Sequence, residues 1–251
     1  MRVLLEPAGP GSPAATALAN AGHATRAGRS TSLILVHEST DRVLGTHDAD
    51  QTLSPALLRA AQQALADAES HTIDTEIAGR RTRAFVQFLA PPPHILICGA
   101  GPDAQPVAAA ALALGWRVTV IDHRPAYALA ERFPGAAVQR VDARSLRSSV
   151  PVAECHAVVV MSHHLPSDVA YLRELAEAGV PDYVGLLGPA ARRRRITEEL
   201  GAAAEKLHSR LRGPVGFDIG AVTPEGIALA IISEIHAWLA KAPDARFPPL
   251  A

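Results

Sequence analysis

This sequence of 251 residues contains little cysteine and no large surplus of either charge. Its 2 cysteines, Cys98 and Cys155, form no CxxC or Cys/His metal spacing and cannot build a disulfide scaffold. We therefore expect no metal site and predict a reducing, cytoplasmic compartment. The sequence has 24 Lys and Arg residues and 25 Asp and Glu residues, so its formal net charge is only -1. It therefore has no overall basic charge that would attract nucleic acid.

Long apolar runs are lacking as well. No stretch approaches the ~18 continuous apolar residues of a membrane span. The first residues, MRVLLEPAGPGSP, have no apolar core of the kind found in a signal peptide. The hydrophobic fraction of 48% and the charged fraction of 20% are ordinary for a folded protein. The sequence therefore predicts no membrane association, and it is long enough for one large domain or two small ones.

Residues 1–90 predict a small α+β domain. Residues 32–37, SLILVH, are typical of a strand, and Ser54 and Pro55 suit the N-cap and first position of a helix. Residues 1–30 show only weak periodicity. The remaining predicted elements of this part are a short strand at 2–5, a turn at Asp41 and Arg42, and strands at 73–77 and 82–89.

Three prolines at 91–93 favour an extended linker, and the pattern changes after them. A continuous apolar strand at 94–98, a helix at 104–114 and a strand at 116–121 predict a βαβ unit. The later predicted elements are strands at 136–141, 157–161 and 183–187 and helices at 167–178, 190–200 and 224–241. Together they predict an α/β domain over 94–241, a Rossmann-like doubly wound parallel sheet, followed by a tail at 242–251.

A glycine turn follows the first strand of this domain, and it matches the pattern GxGxxA. Its residues are Gly99, Ala100, Gly101, Pro102, Asp103 and Ala104. Such a turn before a helix predicts dinucleotide binding, with the pyrophosphate at the helix N-terminus. An ordinary βα turn is the alternative, because Pro102 removes one N–H. Asp122, near His123 and Arg124 at the end of the next strand, would bind ribose hydroxyls and favour NAD over NADP, although Arg124 softens that argument.

A histidine pair follows the apolar strand at 157–161. Ser162, His163 and His164 should therefore lie at the carboxyl edge of the sheet, where ligands of such folds bind. Histidine can donate or accept a proton, so His163, His164 and Asp168 are the candidate catalytic residues. Asp168 has a second interpretation, since a carboxylate in the first turn of a helix is favoured by the helix dipole.

Two further glycine-containing turns are candidates. Gly188 precedes four arginines, of which Arg192 and Arg193 are candidate anion ligands or, alternatively, residues of a solvated helix start. Asp218 lies within the glycine-rich segment 213–221. The surrounding sequence predicts an apolar setting in which its carboxylate accepts backbone hydrogen bonds or belongs to a site.

Four segments in this order resemble the Rossmann domain of the XdhC/CoxI family of accessory proteins for xanthine dehydrogenase and related molybdenum hydroxylases. They are ILICGAGPDAQPVAAAALALGWRVTVIDHR, VVVMSHHLPSD, YVGLLGPAARRRR and GPVGFDIGAVTPEGIALAIISEIHA. The resemblance implies a protein that binds molybdenum cofactor and delivers it to an apo-hydroxylase. Carried over by position, it points to Gly99, Gly101, Asp122, Arg124, His163, Asp168, Gly188, Arg192, Arg193, Asp218 and Thr223.

The resemblance is incomplete towards the N-terminus. Segments like the family's GSxPR and GGCxE are missing, and so is its cysteine-bearing loop. The alternative is therefore an NAD-dependent oxidoreductase that acts on a small molecule in a specialised biosynthetic pathway, and a nucleotide sensor also stays open. The expected partners are a nucleotide or pterin ligand, a molybdenum hydroxylase and a second copy of the chain, with no nucleic acid and no membrane.

Overall fold

The computed structural model describes residues 6–39, 44–48, 53–179 and 181–241. The chain divides into two compact units, Met1–Pro92 and Pro93–Ala251, and the division falls within the proline run. The strand expected at 2–5, the turn at Asp41 and Arg42, and the tail at 242–251 lie outside the described residues.

The first unit is a four-stranded antiparallel sheet with two helices. Its strands lie in the order β2-β1-β4-β3. Ser54 caps helix α2 as predicted, since its Oγ accepts from the Leu57 N–H at 3.4 Å. The elements are α1 (Pro13–Arg26), β1 (Thr31–Ser39), β2 (Gly45–Asp48), α2 (Pro55–Asp67), β3 (His71–Ile77) and β4 (Arg80–Leu89).

Helix α1 lies where the sequence shows only weak periodicity. Its buried side chains are Ala14, Ala17 and Ala21, which have helical spacing but little hydrophobic contrast with their neighbours. The start of the helix is well defined, because Ser12 Oγ accepts from the Ala15 N–H at 3.1 Å. The small side chains pack against Leu33 of β1. Packing, rather than a strong amphipathic pattern, therefore fixes this helix.

The second unit is a six-stranded parallel sheet in the order β10-β9-β8-β5-β6-β7. Its strands are β5 (His94–Cys98), β6 (Arg117–Asp122), β7 (Ala137–Arg140), β8 (Ala157–Val160), β9 (Tyr183–Leu186) and β10 (Leu211–Arg212). Its helices are α3 (Ala104–Ala113), α4 (Leu146–Ser149), α5 (Leu165–Ala178), α6 (Ala190–Leu200), α7 (Ala202–Leu207) and α8 (Pro224–Leu239). The predicted fold class is confirmed.

Alternation along the strands builds a core on each face of this sheet. In β5, Ile95 and Ile97 belong to the cluster that contains α3 and α8. Leu96 and Cys98 belong to the opposite cluster, which contains residues of α4 to α7. Every residue of β5 is buried, as expected for a central strand of a parallel sheet. The strand that delivers the glycine turn is therefore fixed from both sides.

The predicted boundaries differ from the observed ones by one or two residues. Strand β6 extends to Asp122, and helix α5 begins at Leu165 because Pro166 is accommodated in its first turn. Among the described residues, no helix combines the length and apolar character needed to cross a membrane.

Candidate functional site

The turns after β5 and β8 lie side by side at the carboxyl edge of the parallel sheet. Strand β5 has β6 on one side and β8 on the other. The chain leaves β5 towards β6 and β7, and then returns to the opposite side of β5 as β8. Ligands of open α/β sheets bind in the crevice at such a switch point. Residues 99–103 and 161–164 therefore form the candidate site.

Gly99 holds the two turns in contact. Its φ is +118°, which side chains other than glycine rarely adopt. A Cβ at Gly99 would lie 2.6 Å from the backbone nitrogen of Ser162 and 2.7 Å from the carbonyl carbon of Met161. The turn after β5 therefore approaches the turn after β8 so closely that only glycine fits.

The start of helix α3 leaves amide donors available beside Gly101. Within the described part of the chain, the N–H groups of Gly101 and Asp103 have no hydrogen-bond partner, and Pro102 has no N–H. A Cβ at Gly101 would lie 2.7 Å from Asp103 Oδ1 and 3.8 Å from His163 Cδ2. In place of a Cβ, the Asp103 carboxylate lies beside the two amide donors, and such donors at a helix start suit an oxygen-rich group such as phosphate.

Asp122 is buried, and its hydrogen-bond acceptors are occupied. Oδ2 accepts from the Ala100 N–H at 2.8 Å and from Arg124 Nη2 at 2.7 Å. Oδ1 accepts from the N–H and Nε of Arg124, both at 2.9 Å. Burial would raise the pKa of Asp122, but the bonds from Arg124 and Ala100 outweigh it and hold the pKa below its ordinary value. The free carboxylate on which the preference for NAD depends is therefore not present.

We expect the free energy of unfolding of the Asp122→Asn variant to depend less on pH in the acidic range. The folded-state pKa of Asp122 is depressed, so its contribution is present above the unfolded pKa of ~3.9 and is lost as pH falls through the folded value. Urea unfolding between pH ~6 and ~2.5 should give a shallower decline for the variant, which is less stable at pH ~6. Asp142→Asn, at an exposed carboxylate, is the control. Parallel curves for Asp122→Asn and the unaltered protein would contradict the prediction.

His163 lies over the glycine turn, whereas His164 turns away. His163 has a φ of +58°, and its Nε2–H donates to Asp103 Oδ2 at 2.5 Å. The ring is 60% exposed and can therefore meet a ligand. His164 precedes helix α5, and its Nδ1 lies 2.9 Å from Ser167 Oγ. The structure thus brings His163 and Asp103 together as an ionisable pair and leaves His164 outside that pair.

Asp168 ties the turn after β8 to helix α6. Its Oδ1 accepts from the Oγ and N–H of Ser162, at 2.5 and 3.2 Å, and its Oδ2 accepts from Arg192 Nη2 at 2.7 Å. The Asp168 side chain is 1% exposed. A carboxylate held by these donors positions Ser162 and Arg192 rather than taking a proton from a ligand.

Gly188 and Arg193 shape the far end of this edge. Gly188 has a φ of +121°, and a Cβ there would lie 2.7 Å from Cδ of Arg192. Arg193 Nη1 donates to the Gly213 carbonyl at 3.1 Å, so this arginine secures the chain after β10 instead of facing a ligand. A cavity of about 610 Å³ lies beside Gly188, and its lining includes Leu187, Phe217, Asp218 and Ile219.

Asp218 does not lie in the buried apolar setting that its neighbours in sequence predict. The residue is exposed, and Ile219 and Gly220 beside it are exposed too. The segment turns outward after Val215, which is buried, so the carboxylate is solvated and needs no backbone donors. Asp218 lines the cavity beside Gly188 at its surface.

Neither cysteine belongs to the switch point. Cys98 is fully buried, and burial raises the pKa of its thiol well above the ordinary value. Burial also raises the pKa of Cys155 to about 12, although its Sγ lies 3.8 Å from His94 Nδ1. Among the described residues, no group of three or more His, Cys, Asp and Glu side chains could hold a metal ion.

The sequence does not predict the contacts of three side chains near the site. The pairing of Asp103 with His163 spans sixty positions in sequence, and no local signal points to it. Tyr127, on which the Arg124 guanidinium stacks at 3.9 Å, was not singled out. Arg140 ends β7 beside Asp122, and the parallel register of β6 and β7 is the signal that could have found it.

The strand order, the glycine turn and the switch point define a Rossmann-type domain. The XdhC Rossmann domain family matches residues 95–235. The chain belongs to the XdhC family, as the sequence resemblance predicts.

Comparison with individual proteins gives the same relationship. The chain is 35% identical over 156 residues to a protein of Bacillus subtilis (strain 168) described as a probable subunit of xanthine dehydrogenase, covering 61% of this chain and 45% of that protein. It is 27% identical over 174 residues to the uncharacterized protein YqeB of Escherichia coli (strain K12), covering 62% and 29%. The chain therefore spans less than half the length of these curated relatives.

A crystal structure described as a xanthine dehydrogenase from Bacillus halodurans has a similar fold. It superposes with a TM-score of 0.56 at 18% identity, covering 87% of this chain and 94% of that one. At this identity the similarity concerns the fold alone.

Proposed function

We propose that this protein is an accessory factor in the maturation of a molybdenum hydroxylase, and that it binds the molybdenum cofactor as cargo at the switch point. Membership of the XdhC family carries the proposal. The Bacillus subtilis relative, described as part of a xanthine dehydrogenase, suggests a hydroxylase of that kind as the protein partner. The proposed role is cytoplasmic and is compatible with a homodimer.

The residues at the turn fit the phosphate part of a pterin or nucleotide ligand. The Gly101 and Asp103 amides offer donors, and the exposed ring of His163 lies over the turn, where it can contact that phosphate. The described residues offer no side-chain cluster that could ligate the molybdenum itself, and both thiols are buried. The chain would therefore hold the cofactor by its phosphate and ring system, and a thiol for sulfuration would have to come from elsewhere.

Reconstitution of an apo-hydroxylase tests this function. Xanthine dehydrogenase produced without its cofactor is incubated with molybdenum cofactor, with and without this protein, and its activity is measured. We expect the protein to raise the recovered activity. His163→Asn should weaken this effect by about 10-fold, because it removes the ring while keeping a residue that tolerates positive φ.

Arg194→Ala is the control, since Arg194 is an exposed residue of α6. The same recovered activity with and without the protein, together with undetectable binding of the cofactor, would reject the maturation function.

A second candidate function is an NAD(P)-dependent oxidoreductase. The observation in its favour is the exposed, ionisable His163 paired with Asp103 beside Gly101, which could give or take the proton that accompanies hydride transfer. In that case bound nicotinamide should change its absorbance with a small substrate in the absence of molybdenum. His163→Asn should then slow turnover by ~100-fold with little change in dinucleotide binding.

A further inference from the structure

Basic side chains gather at the carboxyl ends of β6 and β7, next to the glycine turn. Arg124 contacts Asp122, which in turn bonds to the Ala100 amide. Arg140 lies opposite Asp122 in the parallel register, and its Nε donates to the His123 carbonyl at 3.3 Å. These two arginines therefore lie at the edge where the ribose of a dinucleotide would be expected in this fold.

Asp122 cannot serve a ribose in this arrangement. Both carboxylate oxygens already accept two N–H donors each, and the side chain is 1% exposed. A ribose hydroxyl could reach the carboxylate only by displacing Arg124 and leaving a buried charge unpaired, which is costly. The side chain that reads the ligand at this position is therefore not the carboxylate.

The guanidinium of Arg124 has N–H donors that do not bond to Asp122 and can bind a ligand. Its Nε and one N–H of Nη2 are directed at Asp122, and the remaining N–H groups of the guanidinium are left over. The side chain is 34% exposed, and its guanidinium stacks on Tyr127 with 3.9 Å to the ring centroid. Asp122 and Tyr127 thus fix the guanidinium plane from two sides, which suits recognition of a phosphate by several donors.

Apart from Asp122, acidic side chains nearby in the chain do not neutralise Arg124 and Arg140. Within the described residues, the acids nearby in the chain are Glu131, which is exposed, and Asp142, which is exposed and accepts from the Arg144 N–H. Neither forms an ion pair or a hydrogen bond with Arg124 or Arg140. Arg132 adds another cation, since its guanidinium lies 5.0 Å from the centroid of Tyr127. Once Arg124 has neutralised Asp122, the edge is basic.

We propose that the ends of β6 and β7 bind a phosphate group on the ribose of a nucleotide, with Arg124 and Arg140 as donors. A dinucleotide with a 2′-phosphate is then preferred to one without it, which reverses the preference expected from Asp122 in the sequence. The inference rests on the ligand site at the switch point that both proposed functions share, and it names the class of nucleotide that this site selects.

Calorimetric titration of the full chain with NADP⁺ and NAD⁺ tests the inference. We expect NADP⁺ to bind at least about 10-fold more tightly, and 2′-AMP to bind more tightly than 5′-AMP. Arg140→Ala should reduce the affinity for NADP⁺ by about 5- to 10-fold while that for NAD⁺ changes less than ~2-fold, because only one ligand carries the extra phosphate. A higher salt concentration should reduce the difference between the affinities for NADP⁺ and NAD⁺.

Arg140→Ala is the principal variant because Arg140 is exposed and, among the described residues, its side chain donates only to a carbonyl oxygen, so we expect the variant to fold. Arg124→Ala leaves Asp122 buried without its cation, so its result is expressed as the ratio of the two affinities, with a melting curve as a check on folding. Arg194→Ala on α6 is the matched control for loss of one positive charge, and the ratio should not change.

Equal or tighter binding of NAD⁺ would overturn the phosphate preference and leave the nucleotide site itself intact. A parallel loss of both affinities in Arg140→Ala would overturn the assigned function of that arginine in the same way. Absence of binding by either dinucleotide would overturn the inference together with the nucleotide site, while the maturation function would still be decided by the reconstitution assay.

Discussion

Gly99→Ala should lower the free energy of unfolding by about 3 kcal/mol or more. The added Cβ would lie 2.6 Å from the backbone of Ser162, which cannot move without displacing the end of β8. The backbone φ of +118° adds strain that alanine does not relieve. Since a domain is stable by only about 5–15 kcal/mol, this loss should move the unfolding midpoint of the variant to a clearly lower urea concentration. Urea unfolding followed by circular dichroism measures the loss.

Gly101→Ala is the matched substitution two positions along the same turn. Its Cβ would meet the Asp103 carboxylate, the end of a side chain that can rotate, and its φ is not in the positive range. We expect this variant to fold with a loss below ~1 kcal/mol and to bind the phosphate of a ligand less well, because the methyl group occupies the space beside the amide donors. Equal stability of the two variants would show that the close approach at Gly99 is not what fixes the turn.

Asp168→Ala should be the second strongly destabilised variant, with a loss of about 2–4 kcal/mol. It removes the acceptor for the N–H and Oγ of Ser162 and leaves Arg192 without its anion. Asp168→Asn should lose less, because an amide oxygen can still accept from Ser162. The free energies of unfolding from urea titrations at neutral pH provide the comparison.

Glu177→Ala, on the same helix, is the control for the loss of an exposed ion pair. Glu177 pairs with Lys206 at 2.7 Å, but both side chains are about half exposed, so the free energy of unfolding should change little. A catalytic carboxylate would behave differently from a positioning one. If Asp168→Ala kept full stability and lost only activity, the positioning interpretation would be wrong.

The parallel sheet could be predicted because its signals are local. The apolar strand 94–98, the glycine turn behind it and the helix that follows are consecutive in sequence, and the structure places β5 and the start of α3 at the predicted residues. The N-cap of α2 was predictable for the same reason, since Ser54 and Pro55 adjoin the helix. Local sequence carries such features because the backbone bonds that define them are local.

The side-chain contacts of the site could not be predicted in the same way. The pairing of His163 with Asp103 depends on the close packing of two turns that are far apart in the chain. Neutralisation of Asp122 depends on the rotamer by which Arg124 folds back onto it and onto Tyr127. Asp218 was misplaced because its apolar neighbours in sequence do not surround it in space.

The carboxylate of Asp122 acts as a rigid spacer between two parts of the crevice. On one side it holds the amide of Ala100 in the glycine turn, and on the other it holds the guanidinium of Arg124. The distance between the turn and that guanidinium is therefore set before any ligand arrives. A ligand long enough to reach both meets a preorganised frame and loses little free energy in ordering the protein, whereas a ligand of the wrong length reaches only one end.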